Sequence, residues 1–99
     1  MSGIAQEVAS YSLRLYVTGA TPGSSRAIAG IKAFCEKFLK NRYTLEVIDV
    51  YQQPVLADEE GILATPTLVR MSPLPLRRIV GNLSDPARLH ARLGLPVEI

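Results

Sequence analysis

Between Tyr11 and Val50 the apolar residues change their spacing twice, and this ordering restricts the chain more than any other feature. Tyr11, Leu13, Leu15 and Val17 alternate with Ser12, Arg14, Tyr16 and Thr18, the period-two pattern of a strand with one buried face. Gly19-Ala20-Thr21-Pro22-Gly23 breaks that strand. Ile28, Ile31, Phe34/Cys35 and Phe38 then recur at three- and four-residue steps, the apolar stripe of a helix. Thr21, Ser24 and Ser25 are candidate N-caps, Glu36 and Lys40 stand at i,i+4, and Lys37 and Lys40 suit the negative end of the helix dipole. Tyr43–Val50 is rich in β-branched and aromatic residues and carries apolar groups on both sides near its end. This is the pattern of a strand buried on both faces of a helix-covered sheet. Strand, helix and strand in this order predict a right-handed βαβ unit.

The second half carries six of the seven prolines, which mark turns and edges. Pro54–Gly61 reads as a short helix, with Pro54 at its start and Gly61 at its end. Thr67–Met71 and Leu76–Val80 read as strands joined by Ser72-Pro73-Leu74-Pro75. Leu83–Gly94 closes as a helix capped by Ser84 and ended by Gly94. No repeat or linker interrupts the 99 residues, so a single domain over 1–99 is expected, with 1–10 flexible. One cysteine, Cys35, and one histidine, His90, exclude an internal disulfide and a zinc site of clustered Cys and His. The longest stretch free of charged residues, Leu15–Ser25, is 11 residues, too short to span a bilayer. The N-terminus lacks the basic and apolar regions of a secretory signal, so a cytoplasmic location and no membrane contact are expected.

Charge is distributed in blocks. Residues 26–42 carry five bases and one acid, 43–69 five acids and no base, and 70–92 five bases and one acid. The second basic block contains no aromatic residue, unlike a nucleic-acid surface, so no nucleic-acid partner is expected. Solvated faces or a charge-complementary protein surface account for the blocks.

The order βαβαββα is that of the thioredoxin fold, and Ala64-Thr65-Pro66-Thr67-Leu68 resembles its proline before the third strand, usually cis. A thiol oxidoreductase places a thiolate at the first helix N-terminus; here Thr21-Pro22-Gly23-Ser24 stands there. Cys35 lies two turns on, within the apolar stripe, and reads as core packing. His90 has no nucleophile or orienting carboxylate beside it, and reads as a surface or half-buried helix residue. Asp58-Glu59-Glu60 point in different directions on a helix, so a solvated face is expected rather than a cation site. The glycine turn lacks the GK[ST] end of a phosphate loop. No catalytic set, cofactor or metal is expected.

The segments LRLYVTGATPGSSRAI, YTLEVIDVYQQPVLADEEGILATPTL and RRIVGNLSD resemble the KaiB family. The resemblance implies a non-enzymatic regulator that binds a KaiC-like ATPase, with a sensor histidine kinase or a KaiA-type regulator as further partners and a dimer or tetramer as possible self-assembly. It also implies two folds: the thioredoxin-like βαβαββα state that binds KaiC, and a ground state of order βαββααβ in which the second half refolds. Carried over by position, Arg14, Arg26, Arg70, Arg77 and Arg78 match the family's basic residues. Pro54–Leu63 matches its contact segment, including Pro54, Leu56, Asp58, Gly61, Ile62 and Leu63. The refolding half carries Thr65, Pro66, Pro73, Pro75, Gly81, Arg92 and Gly94. Three departures stand out: Pro73-Leu74-Pro75 replaces three adjacent prolines, Glu46 occupies a position that is often basic, and the acidic C-terminal tail of cyanobacterial members has no counterpart up to Ile99. Residues 84–94 hold no Val, Ile or Thr, and Arg92 stands where the family often has glycine. This favours the helical, thioredoxin-like state. A thioredoxin-fold redox or ligand-binding protein, or an adaptor for a sensor histidine kinase, is the alternative.

Overall fold

Residues 10–95 are described by the computed structural model; the stretch expected to be flexible, 1–10, falls outside them except for Ser10. Seven elements follow in the expected order: β1 (Tyr11–Val17), α1 (Pro22–Phe38), β2 (Tyr43–Asp49), α2 (Pro54–Glu59), β3 (Thr67–Ser72), β4 (Arg77–Val80) and α3 (Pro86–Leu93). The strands form one sheet in the order β2-β1-β3-β4. β1 runs parallel to β2 and antiparallel to β3, and β3 and β4 are antiparallel. This is the thioredoxin-like arrangement of α/β elements.

Local chemistry sets the boundaries. Among the three candidate caps of α1, Thr21 is used: its Oγ1 accepts from the Ser24 amide at 3.0 Å, and Pro22 takes the first helical position. Ser24 instead turns inward, its hydroxyl donating to the Thr18 carbonyl at 3.1 Å. The cap expected of Ser84 falls to Asp85, whose carboxylate accepts from the Ala87 and Arg88 amides. Ser84 is committed one turn earlier, donating from amide and hydroxyl to Asn82 Oδ1 at 2.9 and 2.5 Å. Gly94 ends α3 at φ 70°, a left-handed geometry that favours glycine. The peptide bonds before Pro66, Pro73 and Pro75 are cis.

The period-two alternation of the strands divides the interior into two layers. Tyr11, Leu13, Leu15 and Val17 of β1, Leu68 of β3 and Ile79 of β4 face α1 and α3, packing on Ile31, Phe34, Cys35, Leu89 and Leu93. On the other face Tyr16, Ile48 and Val69 pack under Ala57 of α2, with Leu56 and Ile62 at the margin. Each fully buried aliphatic side chain contributes roughly 1.5–3 kcal/mol. β2 is not buried on both faces as its composition predicts. It lies at the sheet edge, α2 spans six residues, and within β2 only Ile48 is buried. The apolar end of β2 marks where α2 crosses it, not a central strand.

Candidate partner-binding surface

Several exposed apolar side chains lie where β1 and β2 end. Asp49, the last residue of β2, accepts hydrogen bonds from the Gly19 amide at 3.1 Å and the Tyr51 amide at 2.9 Å, so one carboxylate ties the two post-strand loops together. Gly19 sits at φ 61°, and a Cβ there would lie 3.6 Å from the Tyr51 ring; a left-handed turn therefore brings backbone beside an aromatic face. Tyr51 is 73% exposed, Val55 68% and Leu63 98%. Between them, residues including Thr18, Ile62 and Thr65 line a recess of about 210 Å³. The Thr18 and Thr65 hydroxyls hydrogen-bond across its floor.

Of the six expected contact residues in this segment, Ile62 and Leu63 line the recess, and the other four lie on α2 and the turn after it. Pro54 opens α2, Leu56 packs half-buried against the sheet, and Asp58 is exposed on the helix. Gly61 at φ 69° ends the turn, and Ile62 and Leu63 continue along the rim. Tyr51 and Val55 belong to the same patch and were not singled out from the sequence; an exposed aromatic directly after a strand is the signal that marks Tyr51. Among the described residues, no three His, Cys, Asp or Glu groups come together.

The arginines separate by strand alternation. Arg78 lies on the α2 face and donates from Nη2 to the Glu60 carbonyl at 2.5 Å, anchoring the end of α2. Arg14 lies on the same face of β1 and pairs with Glu46 of β2 at 3.1 Å. Beneath α2 the Tyr16 hydroxyl and Glu60 Oε1 are buried without a hydrogen-bond partner, and burial raises the Tyr16 phenol above its usual range. Arg70 and Arg77 are opposite each other on β3 and β4, on the face covered by α3. Arg70 is only 5% exposed, its Nη1 and Nη2 donating to the Leu93 carbonyl at 2.5 Å and the Pro75 carbonyl at 2.8 Å. Desolvation and the neighbouring Arg77 charge lower its pKa. Arg77 reaches the Arg92 carbonyl at 3.5 Å. These two arginines cap the C-terminal end of α3, and Gly94 lies against both guanidinium groups. Arg77 and Arg78, neighbours on β4, point to opposite faces of the sheet, so Arg70 and Arg77 share one face and Arg78 the other. Arg26, in the second turn of α1, borders a separate groove with Pro66 and Gly81.

The redox reading fails at its central residue. Cys35 is fully buried, and burial pushes its thiol from 9.0 to about 12, so the thiolate is absent at neutral pH. His90 is half-buried, with its ring edge-on to Phe38. Among the described residues, no helix is long and apolar enough to cross a membrane.

Comparison with known proteins agrees with this geometry. The N-terminal domain of Synechococcus elongatus SasA superimposes with a TM-score of 0.73 at 25% identity, over 94% of this chain and 91% of that one. The thioredoxin Deadhead of Drosophila melanogaster matches with a TM-score of 0.69 at 15% identity, over 95% and 88%, a likeness of fold alone. The circadian clock oscillator protein KaiB of Prochlorococcus marinus strain MED4 is 51% identical over 85 residues, 86% of this chain and 79% of the relative. Its counterpart in Synechococcus elongatus PCC 7942 is 49% identical, over 86% and 83%. The family model for the KaiB domain matches residues 14–95, which run from the middle of β1 to the end of the described structure. With two curated relatives near half identity and the domain model spanning the sheet and all three helices, the chain belongs to the KaiB family.

Proposed function

We propose that this chain is a non-enzymatic clock-type regulator that docks on a KaiC-like ATPase through the α2 surface in the thioredoxin-like arrangement. The observation that carries this reading is the cluster of Tyr51, Val55 and Leu63, large apolar side chains held in water beside an acidic helix. Exposed apolar patches rimmed by polar residues mark protein interfaces. Leu56, Ile62 and Gly61 shape the patch, Asp58 supplies its charge, and Arg78 fixes the end of α2. Arg14 lies on the same face of the sheet as α2, already neutralised in part by Glu46, whereas Arg26 borders the separate groove along α1. The similarity to a SasA domain supports a clock setting. Thr65, Pro66, Pro73, Pro75, Gly81, Arg92 and Gly94 lie in the half that the family reading assigns to refolding.

Size-exclusion co-elution with a purified KaiC-like ATPase tests the proposal. Leu63→Glu, at a position 98% exposed, leaves the fold intact and weakens binding at least tenfold. Retained affinity in Leu63→Glu, or no complex with the unmodified chain, overturns it.

A further inference from the structure

Gly30 has no explanation inside the molecule. It sits in the middle of the 17-residue α1, where glycine destabilises a helix relative to alanine, and no left-handed geometry calls for it. A Cβ built at Gly30 meets nothing within 4 Å, so no neighbouring part of the chain requires the close approach either. Glycine without an internal role, on an exposed helix face, fits a place where something from outside comes close to the backbone.

Gly30 also lies where two depressions join. One, of about 340 Å³, runs from Gly23 and Arg26 past Pro66 and Gly81. The other, of about 220 Å³, is floored by Phe34, Leu83 and Leu89 and reaches Lys37. Both share Gly30, Leu83 and Ser84, forming one groove between α1 and the segment leading into α3. Arg88 supports the outer wall, donating to the Val80 carbonyl at 3.0 Å and the Asn82 carbonyl at 2.7 Å.

The charge of this groove has one sign. Apart from Gly23 and Pro66, its walls come from the two basic blocks of the sequence, 26–42 and 70–92; no Asp or Glu lines either depression, and the nearby Asp85 carboxylate is taken up by the amides that open α3. Arg26 and Lys37 make no ion pair among the described residues. Eleven helical steps separate them, about 17 Å along α1, the reach of roughly five extended residues.

We propose that this groove binds an extended acidic segment of a partner protein, with carboxylates near Arg26 and Lys37 and a large apolar side chain over Phe34 and Leu89, its backbone crossing at Gly30. The proposal stands apart from the α2 surface and does not depend on it.

The test uses the intact chain and a dansyl-labelled peptide of sequence DELFED, with NQLFQN as the uncharged control. Expected are saturable binding that weakens as salt rises, and NMR amide shifts at Ala27, Gly30, Ala33 and Leu83. The control binds at least tenfold more weakly. Gly30→Glu, which has open space for its side chain, abolishes peptide binding while thermal stability is kept or raised, and Gly30→Ala weakens it by removing the close approach. Loss of α2 docking in Leu63→Glu leaves this binding unchanged, so the two readings fail separately. Equal binding of NQLFQN, undiminished binding by Gly30→Glu, or shifts confined to α2 overturns the proposal. So does concentration-dependent self-association that shifts the same amides without peptide, which would give the groove to a second copy of the chain.

Discussion

Cys35 and Arg70 show how burial changes what a reactive side chain does. The Cys35 thiol sits among Ile31, Phe34 and Leu39 of the α1 layer, all close to fully buried. Its pKa is raised to about 12, so the unfolded thiol ionises first, near 9.0. The unfolded state then binds fewer protons between those values, and stability falls as pH rises through that window. The Tyr43 phenol, donating to Glu36 at 2.7 Å and held near 12, pushes the same way above pH 10.0. Urea melts should therefore be level from pH 7 to 9 and lose stability above, with the loss reduced in Cys35→Ala. That substitution costs roughly 1 kcal/mol at neutral pH, and the native thiol stays unreactive toward a disulfide reagent until the chain unfolds. Arg70→Ala strips the Leu93 and Pro75 carbonyls of their donors and costs roughly 2 kcal/mol. Partner affinity, measured on the folded fraction, stays unchanged.

At the scale of elements, α3 is the most locally encoded and the most dependent on the sheet. Asp85 caps it, Pro86 starts it, Gly94 ends it, and the stripe of Leu89 and Leu93 faces the core. Eight residues are marginal as an isolated helix, so its last carbonyls depend on Arg70 and Arg77 reaching across from β3 and β4. Asp85→Ala should cost about 1 kcal/mol. Arg92→Gly, at an exposed helical position, should cost about 0.8 kcal/mol. NMR secondary shifts over residues 86–93 report both. Undiminished helical shifts in the double variant would show that the sheet arginines hold α3 without its caps. The helical bias read from residues 84–94 agrees with the structure, although Ser84 is not the cap: the Asn82 carboxamide captures it first.

For the whole molecule, the sheet sorts charge onto two faces. Arg78 shares a face with α2, whereas Arg77 lies against the end of α3. Arg78→Glu should weaken association with a KaiC-like ATPase, and the rate of association should fall with salt, since charge steering is screened over about 10 Å at 0.1 M. Arg77→Glu should instead lower thermal stability, with a smaller effect on association. Stopped-flow rates beside melting curves separate the two. Equal kinetic losses would mean that both arginines meet the partner.

The strand period of 11–17, the apolar face of α1 with Cys35 in its stripe, and the helical character of 86–93 are all local properties. They depend on residue spacing and on contacts within a turn or two, and so could be read from the chain directly. The edge position of β2, the opposite fates of Arg77 and Arg78, the burial of Arg70, the exposure of Tyr51 and the groove at Gly30 could not. Each depends on which strand lies beside which and in what register. The partners involved are distant in the chain: Arg14 meets Glu46 32 residues on, and Arg70 meets Leu93 after 23. Periodicity tells which side chains share a face of a strand, but not whether that face is covered by a helix or left to water; only the packed sheet decides that.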